Sequence, residues 1–432
     1  MKPIQATIYF ITCLAAAASS ATAGLCTAFP SAEGFGALAT GGRGGEIYHV
    51  TNLEDSGPGS FRDAVAKGKR IVVFDVAGYV DLKSMVSVAS DITIAGQTAP
   101  GEGIATRNYE ISFSKSHNVI VRYIRFRQGL TPKQEKKYVI GLTEGSNMIF
   151  DHVSVEWGRW DCIGMTKSKD ITFQNCIIGP GIAPQRFGSL CESENVTFSH
   201  NLWISNQSRN PKSKGVVQYV NNVVYNWGVC GYVGGHSAGN HAADVIGNYF
   251  IKGPNSSEHF AGEFKPTDHI FEKGNVIDMD LDGTLNGKPA KPQDFGSGEN
   301  APTLVHNSSI KPPVEVKLDT AEAAYQKIVA SVGCSLRRDS VDTILIADLT
   351  SLGKKGKTIK DPAEMGGFGE IHGGPAKITA GGDGIPEAWK KAHHINLLDA
   401  HAANSVSNQE GISGYTHIER FINELADIRA AQ

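Results

Sequence analysis

The sequence predicts an all-β protein, a right-handed parallel β-helix carrying a small helical C-terminal extension. Six strand-like runs share one polar/apolar phase: Val119-Ile120-Val121-Arg122, Met148-Ile149-Phe150-Asp151, Ile171-Thr172-Phe173-Gln174, Val196-Thr197-Phe198-Ser199, Val217-Gln218-Tyr219-Val220 and Ala243-Asp244-Val245-Ile246. Their first residues lie 29, 23, 25, 21 and 26 apart. Strands at that period, without amphipathic helices between them, stack as a solenoid in which each rung buries its apolar face on the next. Asn201, Asn222 and Asn248 recur at one phase just after the runs. There stacked amides can bond along the axis and tolerate a left-handed bend. Glycine supports the same reading: 49 of 432 residues, about 11% against a usual ~7%, means many turns.

Along the chain, Lys2, the apolar stretch Ile8 to Ala18 and Ala21-Thr22-Ala23 read as a secretory signal peptide over residues 1–23. Export is the expected fate, and no later segment reaches 18 uninterrupted apolar residues, so no membrane span is expected. The β-helix is expected over 24–300. Its first rungs fall between Gly34 and Gly103, and the runs Gly41-Gly42-Arg43-Gly44-Gly45 and Ser56-Gly57-Pro58-Gly59-Ser60 serve as turns. From 301 to 432 the composition changes. Leu318 to Val332, Pro386 to His394 and Ile418 to Ala430 read as helices that cap the solenoid or pack along its side. Without Cys13, six cysteines remain, an even number for an oxidising compartment, with no pairing deducible from spacing.

Lys+Arg 41 against Asp+Glu 44 leaves a formal charge of −3. That excludes the whole-protein basic field of a nucleic-acid binder, so an anionic ligand must meet a local cluster. Residues at equal rung offset stack, and offset places Asp161, Arg186 and Arg209 on one side of three successive rungs. Trp160 joins them, and Lys212 and Lys214 follow. Such a strip suits an acidic polysaccharide, with guanidinium forks on carboxylates and rings against sugars.

Several motifs carry a family resemblance. They are Phe29-Pro30-Ser31-Ala32-Glu33-Gly34-Phe35-Gly36, the Gly41 to Gly45 run, Val50-Thr51-Asn52-Leu53, Ile94-Ala95-Gly96-Gln97-Thr98-Ala99-Pro100-Gly101, Val121 to Arg127, Phe150-Asp151-His152-Val153-Ser154 and Ser208-Arg209-Asn210-Pro211. Over residues 29 to 255 the chain resembles the pectate lyase superfamily of polysaccharide lyases, in particular the secreted pectate lyase C-like branch. The tail, with Asp383 to Trp389 and Gly414 to Glu419, is similar to the C-terminal segment of bacterial members.

The resemblance implies a pectin lyase-like parallel β-helix and β-elimination on a uronate glycan. By the R-x-P motif Arg209 is the base, with Arg186, Lys212 and Lys214 as the cations that destabilise its charge. Lys214 stands where the family often has a second arginine. Elimination needs a base for the C5 proton and a group to neutralise the developing carboxylate dianion.

Where calcium-dependent relatives carry acidic ligands, this chain has Tyr138 in place of an Asp, and Asp161 as the carboxylate near the Trp160 to Gly164 segment. One carboxylate cannot hold a cation that takes six to eight oxygens. No catalytic cofactor is therefore expected to be obligatory, although Ca²⁺ is the family's. Arg186 falls near the position at which calcium-independent relatives carry a substituting arginine, and Tyr138, Trp157 and Trp160 fit an aromatic-lined cleft. Asp278, Asp280 and Asp282 copy the start of an EF-hand loop, remote from the cleft, with Pro289 at its twelfth position. The expected protein is a secreted monomeric lyase. A glycan-binding β-helix without activity is the alternative, and hydrolysis would need converging carboxylates about 5 to 9.5 Å apart.

Overall fold

The computed structural model describes residues 26–130, 138–379, 381–406 and 414–427; the leader region lies outside them. The chain winds into a parallel β-helix with three faces, its strands joined in a 16-stranded and a 10-stranded sheet. In each rung a strand on the first face bends into one on the second, and a tight corner leads to the third. Asp161–Gln174 and Phe187–Ser199 each run through the first corner as one bent strand, their mutual register shifting between Thr166 and Lys169.

The predicted register is observed on the second face. Val119 pairs with Met148, Met148 with Ile171, Ile171 with Val196, Val196 with Val217 and Val217 with Ala243. The column continues upstream through Ile92, Arg70 and Glu46, and downstream through Ile270 to Leu304, just past the expected boundary at 300. Inward-pointing residues form one continuous core, within which Phe150 and Phe173 stack at 4.4 Å. The short helix Phe61–Val65 closes the upstream end with Phe61, Ala64 and Val65.

The asparagine ladder forms at the second corner. Asn201 Nδ2 donates to Asn222 Oδ1 at 3.0 Å, Asn222 to Asn248 at 3.1 Å, and Asn248 to Asn275 at 2.9 Å. The left-handed residue is the one before each rung's amide: His200, Asn221, Gly247 and Gly274 all have positive φ. The amides themselves bond along the axis and take no part in the bend.

Two faces are covered from outside. The helices Ala321–Ser331 and Ser340–Thr350 pack on outward residues of the third face, among them Ile177, Leu202, Val223 and Tyr249. The first falls where the sequence predicts a helix; the second is hidden there because its charges are interior. On the second face, His417–Asp427 covers Ile71 and Val73, while the segment from Ala28 to Ala39 covers Ile120 and Ile149. The glycine motifs upstream of Glu46 thus lie outside the rungs, against strand backbone: a Cβ on Gly36 would sit 1.9 Å from the Met148 carbonyl oxygen. Glu387–Ala392 falls within the remaining predicted helix, Pro386 to His394.

The extension is locked by buried charge. Arg127 donates to Glu156 and Asp339 and, at 3.0 Å, to Asp342, while Arg125 Nε donates to Asp342 at 3.3 Å. All five are buried. Despite the cost of burial, Arg127 holds Asp339 down to about 2, whereas burial drives the Glu156 carboxyl well up, against the pull of Arg127. The six cysteines are free thiols, and Cys162, Cys176, Cys191, Cys230 and Cys334 are buried, so the disulfide framework that an even count suggests does not form. Among the described residues no helix is long and apolar enough to cross a membrane.

Candidate active site

With the second and third faces covered, the first face remains as an open groove. Its outward positions run Gly141, Gly164, Leu190 and Lys212 in one column, and Thr166, Glu192 and Lys214 in the next.

Arg209 leads into the strand Lys212–Val220. Its Nη1 donates to both oxygens of Asp161, at 3.1 and 3.2 Å, and its guanidinium lies over the Phe187 ring at 4.0 Å. Asp161 is fully buried, and Arg209 keeps a fifth of its side chain exposed. Burial raises the Asp161 carboxyl to about 6, against the opposing pull of Arg209. Lys214 pairs with Glu192 at 2.9 Å. Lys212 is half-buried, and burial, followed by the charges of Lys214 and Arg209, lowers its pKa.

Tyr138 lies over the glycine column, and a Cβ on Gly164 would come within 2.5 Å of its ring. Burial and the nearby charges of Asp161 and Glu110 raise the Tyr138 phenol. The two glycines form a seat that no larger residue would leave open. Trp160 is half-buried immediately before Asp161.

Three expectations are corrected. Arg186 is not gathered into the Asp161–Arg209 group: its Nε donates to the Ile359 carbonyl at 2.9 Å, pinning it to the C-terminal extension. Asp161 pairs in register with Phe187, and Phe187 bridges to Ser208, so the column passes between the two arginines. Offsets counted forward fail because the connection from third to first face varies in length from rung to rung. Trp157 is buried under the extension with its edge on Phe368, so it does not line the groove. Asp161 is also not the one carboxylate of the groove, since Glu192 and Glu110 act with it on the Tyr138 phenol, and forward counting missed both. Counting back from the second-face strands across the first corner comes within one residue per rung, because the register also shifts there and Thr166, Glu192 and Lys214 precede Ile171, Val196 and Val217 by unequal steps.

The acidic loop follows the third-face strand Val276–Asp278. Asp280 accepts the Asp282 amide at 3.1 Å, and Asp282 accepts the amides of Thr284 and Asn286. These carboxylates hold the turn of their own loop. Among the described residues no three His, Cys, Asp or Glu side chains converge to hold a metal.

A solenoid that leaves one charged, aromatic-edged face open, with an arginine held on a buried aspartate, defines the class: a β-helical polysaccharide lyase, an enzyme. The chain is 45% identical over 401 residues to a probable pectate lyase C of Aspergillus terreus, covering 92% of this chain and 94% of the relative. It is 44% identical over 402 residues to a probable pectate lyase C of Neosartorya fischeri, covering 92% and 93%. The chain belongs to the pectate lyase C family. Among solved structures the fold matches Jun a 1, the major cedar pollen allergen, at TM-score 0.50 and 20% identity, covering 70% of this chain and 92% of that one. It also matches a thermostable pectate lyase at TM-score 0.51 and 13% identity, covering 71% and 98%. A scan of protein-family models finds no match.

Proposed function

We propose that this lyase acts outside the cell, as a monomer, on a uronate-containing glycan of the pectate type, with Arg209 as base. The observation that carries the reading is Arg209 itself, fixed through one nitrogen on buried Asp161 in an open cationic groove. Its Nε and Nη2 have no hydrogen-bond acceptor among the described residues. Abstraction of the C5 proton requires a neutral guanidine. Asp161, in hydrogen-bond contact and raised to about 6 by burial, is the acceptor for the proton Arg209 must give up. The guanidine then takes the C5 proton, the C4–O bond breaks and a C4=C5 double bond forms. The leaving oxygen collects a proton as Asp161 releases its own to solvent, which closes the proton count.

Calcium is the family's metal, and the donor set here does not fit it as a resident catalytic ion. Both Asp161 oxygens accept from Arg209, Glu192 is paired with Lys214, and Tyr138 covers the two glycines. A calcium site wants six to eight oxygens, and no step above runs through a metal. The non-catalytic alternative is set aside because relatives along nearly the whole chain carry lyase names.

The test is incubation with pectate, methylated pectin, alginate and glucuronan, following the ultraviolet absorbance of a 4,5-unsaturated uronide, with and without chelator. Absorbance that persists under chelation is expected. Activity abolished by chelator and restored by calcium would overturn the metal-free reading, and no signal on any uronate would overturn elimination.

A further inference from the structure

The cations that the sequence proposes for the groove differ in what they already hold. Arg209 is on Asp161, Lys214 is on Glu192, and Arg186 is on the Ile359 carbonyl. Among the described residues the Lys212 ammonium has no hydrogen-bond acceptor and no ion pair. It stands on the outward column of the first face, in line with Leu190 and Gly164, three residues past Arg209. The chain keeps it there at a cost, because a half-buried ammonium beside two other cations gains nothing for folding. Burial, Lys214 and Arg209 outweigh the pull of Glu192 and Glu263 on it, and an entering anion relieves that cost.

We propose that Lys212 receives the carboxylate of the uronate whose C5 proton Arg209 removes, and neutralises the charge that builds on it during elimination. This rests on the elimination reading and assigns to Lys212 the part that sequence reasoning gave to Arg186. Position supports it: Pro211 separates Arg209 from the start of the strand, and from Lys212 onward the strand is fixed by pairing with Leu190. The lysine is thereby held in constant relation to the base. Chemistry supports it too, since burial and then the charges of Lys214 and Arg209 push Lys212 toward the neutral form in the empty groove, and an arriving carboxylate reverses that pressure.

The experiment uses the full chain, with unesterified polygalacturonate and highly methyl-esterified pectin as substrates in the presence of chelator. Lys212→Gln is expected to lower kcat on the unesterified polymer by about 10²-fold, the loss typical of removing one group that stabilises a developing anion. On the methyl ester, whose carboxyl develops no full charge, it should lower kcat far less. Lys212→Arg should restore the preference, and Arg186→Gln should leave the ratio of the two rates where it is. Equal losses on both substrates, no loss on either, or the selective loss appearing in Arg186→Gln would each overturn the proposal.

Calorimetric binding of trigalacturonate separates this failure from failure of the elimination reading. Weakened binding by Lys212→Gln in a protein inert on every uronate refutes elimination and keeps the site. Unchanged binding refutes the site. Unfolding of Lys212→Gln at or above the wild-type temperature shows that the fold is intact.

Discussion

Replacing Asp161 by asparagine separates what this carboxylate does for folding from what it does for the reaction. Burial raises its carboxyl from an ordinary 3.8 to about 6 in the folded protein. Below 3.8 both folded and unfolded chains hold the proton, and the ionisation costs nothing. As the pH climbs through about 6 the folded protein must ionise a group it prefers to keep neutral, and stability that was present in acid is lost. A gap of about two pH units is worth about 3 kcal/mol at ~1.4 kcal/mol per unit.

The amide introduced by Asp161→Asn never ionises and still offers an oxygen to Arg209 Nη1. The variant should therefore equal wild type in urea denaturation near pH 4 and gain up to about 3 kcal/mol on it by pH 8, less ~1 kcal/mol for the weaker hydrogen bond. Its turnover should fall by about 10²–10⁴, the usual contribution of a placed proton acceptor. A variant less stable than wild type at pH 8 would show that the ion pair dominates burial. Retained turnover would refute Asp161 as the acceptor.

The remaining predictions concern the lock and the groove floor. Arg127→Met strands Asp339 and Asp342 without their main partner and should cost about 3–5 kcal/mol in chemical denaturation, as broken buried ion pairs do. Limited proteolysis should then cut near residues 335–345, and a resistant extension would refute the lock. Gly164→Ala places a methyl within 2.5 Å of the Tyr138 ring and must displace it. Its KM on polygalacturonate should rise to match Tyr138→Ala, and the double variant should add nothing further; an additive effect would show that the seat and the ring act separately.

What the sequence discloses follows from how local each constraint is. The second-face runs declare themselves because inward and outward residues alternate within four positions and repeat at a nearly fixed period, so register and the ladder of Asn201, Asn222 and Asn248 are readable without coordinates. Arg209 is readable from its motif. The place of Arg186 is not, since the connection from third to first face changes length between rungs, and one residue of slip sends a side chain to the other side of the corner. Trp157 misleads for a related reason. An aromatic beside a presumed cleft is equally well a core residue until the extension is known to lie over it. The helix Ser340–Thr350 escapes notice because Asp342 points inward to arginines more than two hundred positions upstream in sequence.

The two sets of arginines explain why a nearly neutral protein can present a cationic groove. Arg122, Arg125 and Arg127 come from one short stretch, and all three are spent inside: Arg122 on Asp151 and Asn423, the others on Glu156, Asp339 and Asp342. Among these partners Asp339 and Asp342 belong to the extension and Asn423 to the terminal helix, so these charges tie down the very segments that cover the second and third faces. The first face escapes cover, and there the balance differs: Arg209, Lys212 and Lys214 stand against Asp161 and Glu192. Arg209 and Lys214 are each ion-paired there, and among the described residues Lys212 is the one of the three cations without an ion pair. The charge that would recognise an acidic polymer is thus what remains when the buried locks and the two groove ion pairs have used the rest, and the choice of which face stays open is made by residues far from the groove.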